Sequence, residues 1–199
     1  MDWKRNQGSL FPRMTLGVMG SAGGRLTAQV LEPVRRLGAA AARRGYVLIT
    51  GACPGIPYEA VVGCKRAGGI TVGVSPALNL HEHTTRYKSP SAGFDVMIYS
   101  GDGLMGREVT AVRSCDIVIF AGGRSGTLGE FAIAYDEGKT IGVLTGTGGI
   151  SDHIAEIVAL VKKETGAVVV LDDRPVRLLR RAVRAHRERG PITHIPTGA

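Results

Sequence analysis

Strand patterns and helix patterns alternate along almost the whole chain, and this alternation narrows the fold more than any other feature. Short apolar runs predict strands at 15–20, 46–50, 70–75, 95–99, 116–120, 140–144 and 167–171. Apolar residues at helical spacing predict helices at 26–44, 55–67, 105–114, 127–137, 150–164 and 174–189. Strands that alternate with helices form a parallel sheet with helices on both faces. We therefore predict an α/β fold with a doubly wound, mostly parallel sheet.

Two features depart from this regular pattern. Pro33 falls within the predicted helix 26–44, so we expect that helix to begin or bend there. Residues 76–94 are polar and contain two histidines, His81 and His83, and this composition predicts a long surface loop.

Length and composition predict one globular domain. The chain has 199 residues, and its apolar share of 44% excludes an intrinsically disordered chain. A chain of this length can form one substantial core, and we find no internal repeat or linker. We therefore predict a single domain over 1–199, with tails at 1–13 and 190–199.

Apolar runs, cysteines and net charge indicate where the chain is found and what it can bind. No apolar run approaches the roughly 18 residues of a membrane helix, and no apolar stretch follows the basic residues at the start. We therefore expect neither a membrane partner nor a secretory signal. The three cysteines form no C-x-x-C motif, which favours free thiols in the cytoplasm. The net charge of +8 permits an anionic ligand or nucleic acid without choosing between them.

Three glycine-rich turns, at 20–24, 50–55 and 121–130, each follow a predicted strand. Ligands of open parallel sheets bind beyond the carboxyl ends of the strands, where helix N-termini attract anions. Glycine lets the backbone approach a ligand closely, and the third turn adds two hydroxyl groups. We therefore predict that a phosphate is bound by residues of these turns, namely Gly20, Ser21, Gly51, Gly55, Gly122, Gly123, Arg124, Ser125, Gly126 and Thr127.

These turns do not match the best-known phosphate motifs. No Gly-Lys-Ser/Thr follows the third turn, so it is not a Walker A loop, and the first turn lacks the G-x-G-x-x-G spacing. Glu130 stands three residues after Thr127, which allows two roles. It could be the acidic member of a capping box, or a carboxylate directed at the ligand.

The segment G-G-R-S-G-T-L-G-E resembles the P-G-G-x-G-T-x-x-E signature of the Lonely-guy (LOG) family. Arg107 stands nine residues before Asp116, as an arginine of that family stands before the corresponding strand. The T-G-A-C-P-G turn and the segment R-E-V-T-A-V-R-S-C-D-I-V-I-F-A-G-G are most similar to one branch. That branch contains the molybdenum cofactor carrier protein. The resemblance covers residues 15–170.

This resemblance implies a Rossmann-like nucleotide-binding fold and a homo-oligomer, a dimer or larger. Catalytic members of the family hydrolyse the N-glycosidic bond of a nucleoside 5′-monophosphate to give free base and ribose 5-phosphate. By position, Arg107 and Glu130 match the catalytic arginine and glutamate. The resemblance implies no required cofactor, with a nucleotide or the molybdenum cofactor as bound ligand. Lysine decarboxylation would need a lysine-bound pyridoxal phosphate, and nothing in the sequence indicates one.

The chain differs from the family pattern at four positions. Gly122 stands for the proline of the signature, Arg124 for its second loop glycine, and Gly129 for the first residue of its usual Glu-Glu pair. Glu108 follows Arg107 where the family has lysine. These differences bear on catalysis more than on binding.

Other polar residues favour ordinary roles. His81 and His83 lack a third metal ligand and are interpreted as solvated loop residues, so no metal site is predicted. Cys53 is interpreted as a small buried residue that could touch a ligand, and Cys115 as structural. The arginines of helix 174–189 favour a solvated outer face or a dimer contact over a nucleic-acid surface.

Three hypotheses follow for the function. The first is a LOG-like phosphoribohydrolase that acts on a nucleoside 5′-monophosphate. The second is a non-catalytic protein that binds or carries a nucleotide or a pterin phosphate such as the molybdenum cofactor. The third and weakest is single-stranded DNA binding, because R-S-G-T-L also resembles a stretch of the DNA-processing protein DprA. A nucleotide-like small molecule is the expected partner, and nucleic acid is not expected.

Overall fold

The computed structural model describes residues 13–24 and 26–189. Seven strands form one fully parallel sheet in the order β4-β3-β2-β1-β5-β6-β7. The strands are β1 (Thr15–Gly20), β2 (Val47–Thr50), β3 (Ile70–Ser75), β4 (Val96–Tyr99), β5 (Ile117–Ala121), β6 (Thr140–Leu144) and β7 (Val168–Asp172). This arrangement confirms the predicted α/β, Rossmann-like fold.

In residues 13–24 and 26–189, seven α-helices and one 3-10 helix connect and cover the strands. The α-helices are α1 (Ala28–Ala42), α2 (Ile56–Arg66), α3 (Leu80–Thr85), α4 (Gly103–Arg113), α5 (Ser125–Asp136), α6 (Ile154–Val161) and α7 (Pro175–Arg189), and the 3-10 helix is Gly149–His153. One hydrophobic core joins the sheet to α1, α2 and α7, and a second joins it to α4, α5 and α6. Helices therefore cover both faces, as expected for a doubly wound sheet.

The strand order reverses direction between β1 and β5, and this position determines where a ligand can bind. The two strands lie side by side, with Gly20 paired to Ala121 at their carboxyl ends. Every residue of β5 and β6 is buried, because these strands are covered on both faces. The loops that leave β1 and β5 diverge to opposite faces of the sheet, which opens a crevice at this switch point.

The predicted strands agree with the structure to within one residue at each end, whereas three other predictions need correction. Helix α1 begins at Ala28 and runs through Pro33, so it does not begin at the proline. The same helix packs closely on α2, since a Cβ at Gly38 would overlap the carbonyl oxygen of Ala60. The predicted helix 150–164 is divided into the 3-10 helix and the shorter α6.

The predicted surface loop 76–94 is wrong in part, because it contains α3 and a fully buried histidine. His83 Nδ1 lies 2.8 Å from the hydroxyl oxygen of Ser75, and its Nε2 lies 3.0 Å from the carbonyl oxygen of Pro90. These contacts hold the segment against β3. His83 is therefore not the solvated residue that the sequence predicts, whereas His81 is exposed.

The predicted tails fall almost entirely on 1–12 and 190–199, which lie outside the described residues. Within 13–24 and 26–189, no helix combines the length and the apolar character needed to span a membrane.

Candidate ligand-binding cleft

A cleft of about 360 Å³ lies at the switch point, beyond the carboxyl ends of β1 and β5. Its volume falls within the range of small-molecule sites, roughly 300–1,000 Å³. It is lined by Gly20, Ser21, Ala22, Cys53, Leu104, Arg107, Glu108, Arg124, Ser125, Gly126, Thr127 and Glu130. The structure therefore brings together both predicted catalytic residues and six of the ten predicted phosphate-binding residues.

The first turn of α5 supplies the hydrogen-bond donors of the cleft. Arg124 precedes the helix, and Leu128 N–H makes the first backbone hydrogen bond of the helix, to the Arg124 carbonyl at 3.0 Å. In the part of the chain that the structure describes, the N–H groups of residues 124–127 have no acceptor. No acidic side chain occupies this first turn. Unpaired N–H groups and the positive end of the helix dipole are the two features by which helix N-termini attract anions.

Gly122 and Gly123 shape the loop before α5 instead of lining the cleft. Gly122 N–H donates to Thr147 Oγ1 at 2.8 Å, and Gly123 N–H donates to Ser21 Oγ at 3.0 Å. Both glycines have positive φ, and a Cβ at Gly123 would lie 2.5 Å from Cβ of Thr127. Glycine is therefore required here to form the turn, and these two amides are already used by protein acceptors.

The first two glycine-rich turns support the cleft in different ways. Gly20 lines it, and a Cβ there would overlap the carbonyl oxygen of Ala121, so glycine lets β1 and β5 end side by side. Ser21 also lines the cleft, where its hydroxyl oxygen accepts from Gly123 N–H and its proton has no acceptor among the described residues. Gly51 and Gly55 lie behind the lining residues. Gly55, with positive φ, packs on the Ser21 carbonyl, which accepts from Ile56 N–H at 2.9 Å.

Arg107 projects from α4 into the cleft and is only 5% exposed. Its Nε is buried and has no hydrogen-bond partner among the described residues. Within the same residues it forms no ion pair with Glu108 or Asp102, so it is not a surface residue paired to a neighbouring acid. A buried guanidinium with an unpaired donor is costly unless another group completes its hydrogen bonds.

Glu130 lies on α5 opposite this guanidinium and is 6% exposed. Burial raises the pKa of Glu130 to about 8; the charge of Arg107 limits the rise and that of Glu108 adds to it. Helix α5 begins at Ser125, so Glu130 lies beyond the first turn and makes no capping hydrogen bond. The capping-box role is therefore excluded, and Glu130 is largely a neutral acid at neutral pH.

Sequence reasoning did not assign Leu104 or Glu108 to the cleft. Leu104 precedes Arg107 by three residues and Glu108 by four, so the three share one face of α4. That helical spacing is the signal that could have identified them. Cys53 also lines the cleft, and burial raises the pKa of its thiol to about 11 against the opposing effect of Arg107. It is therefore a neutral thiol at physiological pH.

A larger cavity of about 530 Å³ lies at the opposite edge of the sheet, around Asp116, Lys139 and His186. It adjoins the amino ends of the strands, where parallel sheets do not usually bind ligands. Its basic residues are partly used by the fold, since Lys139 donates to the carbonyls of Arg113 and Cys115. The carboxyl-edge cleft is therefore the better candidate site.

The described residues contain no cluster of three or more His, Cys, Asp or Glu side chains that could hold a metal ion. Cys115 is fully within the core, where its thiol donates to the Ala111 carbonyl at 3.1 Å. On α7, Arg177 and Arg181 both bind the buried carboxylate of Asp172. These two arginines therefore fasten α7 to β7.

The model of the SLOG cluster4 family matches residues 13–179. The chain belongs to the SLOG cluster4 family. This membership confirms the predicted place in the Lonely-guy superfamily. An uncharacterized protein from Archaeoglobus fulgidus is 32% identical to this SLOG cluster4 protein over 131 residues, which are 66% of this chain and 80% of that relative.

Two solved structures are similar to the SLOG cluster4 protein over nearly their whole length. The molybdenum cofactor binding protein from Rippkaea orientalis is 28% identical, with a TM-score of 0.70 over 87% of this chain and 97% of that one. The Moco carrier protein from Chlamydomonas reinhardtii is 26% identical, with a TM-score of 0.71 over 89% of this chain and 99% of that one.

Proposed function

We propose that this protein binds a nucleotide-like, phosphorylated small molecule in the switch-point cleft. The buried Arg107, whose Nε has no partner among the described residues, carries the proposal. The free N–H groups of residues 124–127 would hold the phosphate, and Arg107 would donate to the phosphate or the sugar. A guanidinium suits this task because its planar donors can bind two oxygens at once.

We propose carriage of the ligand as the leading function. Two similar structures are molybdenum cofactor binding or carrier proteins, which supports a phosphorylated pterin or nucleotide as cargo. The cleft contains the cation, the neutral acid and the backbone donors that such a ligand needs. Cys53, at the cleft wall, is a neutral thiol by its raised pKa, so it contributes packing and not a charge.

Hydrolysis of a nucleoside 5′-monophosphate is the second candidate, and the raised pKa of Glu130 favours it. A neutral Glu130 would donate its proton to the base as the C1′–N bond breaks, and water would add its hydroxyl to C1′. The proton released by that water would restore the acid. The products would be free base and ribose 5-phosphate, with Arg107 and the α5 amides holding the phosphate as an anchor.

Calorimetry and a base-release assay test both candidates. Inorganic phosphate, AMP and GMP are titrated into the full chain, and chromatography measures free base. Arg107→Ala should weaken binding at least tenfold, whereas the exposed Arg43→Ala should not change it. Binding without base release supports carriage. Base release that Glu130→Gln abolishes supports hydrolysis, and failure of every phosphate ligand to bind contradicts both.

We also propose that the protein forms a homodimer through an apolar patch beside the cleft. Leu78, Leu80, Leu104 and Met105 are between 50% and 74% exposed. Their segments adjoin, because Gly101 N–H donates to the Ala77 carbonyl and Gly103 N–H to that of Pro76. Contiguous exposed apolar surface is typical of protein interfaces. Light scattering should show a dimer that Met105→Glu dissociates, and a monomeric wild-type chain would contradict this proposal.

The chain is proposed to act as a single domain in the cytoplasm, where its free cysteines stay reduced. Nucleic acid is not proposed as a partner, and two arginines of α7, Arg177 and Arg181, hold the carboxylate of Asp172 instead of facing a ligand. Steep salt-dependent binding of oligonucleotides would contradict this.

A further inference from the structure

Glu108 is a second buried acid in the cleft, one residue after Arg107 on α4, and it is 7% exposed. Its carboxylate lies against the first turns of α5. Oε1 is 3.2 Å from the position of a Cβ on Gly126, and Oε2 is 3.2 Å from that of a Cβ on Gly129. The two glycines therefore leave room for this carboxylate, and any larger residue there would crowd it.

No residue in the described part of the chain forms a hydrogen bond or an ion pair with this carboxylate. Neither oxygen of Glu108 accepts a hydrogen bond there, and the residue forms no ion pair. Burial raises the pKa of Glu108, although the neighbouring charge of Arg107 opposes the rise. Both oxygens are in contact with the open cleft, because Arg107 Nε is the one side-chain polar atom of the described residues that is both buried and unpaired. They are therefore available to accept hydrogen bonds from a bound molecule.

Asp172 is another buried carboxylate of the same chain, and it stabilises the fold. Its oxygens accept from the N–H of Arg174 at 2.9 Å, from Nη1 of Arg181 at 2.9 Å and from Nε of Arg177. Three donors thus surround Asp172, while Glu108 faces a cleft with its acceptors unused. The contrast indicates that Glu108 is placed for a ligand and not for stability.

We infer that Glu108 is a specificity-determining residue that accepts hydrogen bonds from two adjacent donors of the bound ligand. The inference rests on the proposed function and names the chemistry of its ligand. A carboxylate accepts paired donors but repels a phosphate dianion, so Glu108 selects against inorganic phosphate. Two groups present such donors: the cis-diol of a ribose, and the amide–amino edge of a 2-amino-4-oxo ring, as in guanine or a pterin.

Titration calorimetry on the full chain tests the inference with five ligands: GMP, AMP, 2′-deoxy-GMP, ribose 5-phosphate and inorganic phosphate. The variants are wild type, Glu108→Gln and the exposed control Glu164→Gln. Glu108→Gln keeps the size of the side chain but replaces one acceptor with a donor. It should weaken the donor-bearing ligands about tenfold or more, and should leave or improve the affinity for inorganic phosphate.

The ligand panel separates the two sources of donors. If the ribose diol is recognised, AMP, GMP and ribose 5-phosphate lose affinity together in Glu108→Gln, and wild type binds 2′-deoxy-GMP weakly. If the ring edge is recognised, GMP and 2′-deoxy-GMP lose affinity and AMP does not. Without ligand, Glu108→Gln should unfold at the same or a higher temperature than wild type. A lower unfolding temperature would assign Glu108 a structural role and overturn the inference.

Other results also overturn the inference. Equal affinities of wild type and Glu108→Gln for all five ligands would overturn the inference. They would leave the proposed function intact, provided that Arg107→Ala still weakens binding at least tenfold. A loss in Glu108→Gln that appears only with Mg²⁺ would make the carboxylate a cation ligand instead. If wild type binds none of the five ligands, the proposed function and this inference fail together.

Discussion

Nη1 of Arg107 occupies the space in which a Cβ at Gly51 would lie. The glycine at the end of β2 therefore makes room for a guanidinium that belongs to α4, more than fifty residues later in the chain. The second glycine-rich turn contributes to the cleft through this space and not through direct contact with a ligand. Gly51 and Arg107 thus form one functional unit, although only Arg107 reaches the cleft.

Gly51→Ala should displace the Arg107 guanidinium and weaken phosphate-ester binding about as much as Arg107→Ala does, roughly tenfold or more. Calorimetry with AMP or GMP measures the effect, and circular dichroism verifies the fold. Because both changes remove the same interaction, the double variant should bind no more weakly than either single variant. Additive losses would show that Gly51 acts independently of Arg107.

Ser21→Ala should lower the free energy of unfolding by about 1 kcal/mol, because the Gly123 N–H would lose its acceptor. The same change should loosen the turn before α5 and weaken phosphate binding. Ser125→Ala is the matched control, since the exposed Ser125 also lines the cleft but its hydroxyl holds no part of the loop. Urea denaturation measures both variants. Equal stability of Ser21→Ala and wild type would contradict the bridging role of Ser21.

Much of the fold could be predicted from the sequence because the relevant signals are local. The strand predicted at 116–120 is shifted by one residue from β5. It could be recognised because a short apolar run is typical of a strand that is buried on both faces of a parallel sheet. Arg107 and Glu130 could be assigned because they belong to sequence motifs. Both lie in the cleft.

Other features depend on contacts between distant residues and leave no local signal. The burial of His83 follows from Ser75 and Pro90, which lie on either side of α3, and the polar composition of the segment conceals it. The exposed start of α5 could be predicted from the sequence. The hydrogen bond from Gly122 N–H to Thr147 Oγ1 could not, because Thr147 follows a different strand. Helical spacing places Glu108 on the same face of α4 as Arg107, but the packing of that face against α5 is a tertiary contact that the sequence does not show.

Asp172→Asn should destabilise the attachment of α7 to β7. Arg177 and Arg181 would lose their shared anion, and both side chains are partly exposed, so the expected loss is about 2 kcal/mol. Burial alone would raise the pKa of Asp172, but hydrogen bonds from Arg177, the Arg174 N–H and Arg181 hold it well below its usual range. Asp173→Asn is the exposed control. An unchanged denaturation midpoint in Asp172→Asn would contradict this prediction.

Glu130→Gln should remove a pH dependence from the stability of the fold. The pKa of Glu130 is raised from its ordinary 4.5 to about 8, so the folded chain keeps a proton that the unfolded chain releases. The stability that this proton supplies is fully present below about pH 4.5 and is lost as the pH rises towards 8. Glutamine is neutral at every pH. Glu130→Gln should therefore match wild type near pH 4 and exceed it above pH 8, by on the order of 5 kcal/mol. Thermal denaturation across this range, with Glu164→Gln as the exposed control, measures the difference. A constant offset between Glu130→Gln and wild type would show that Glu130 does not titrate in this window.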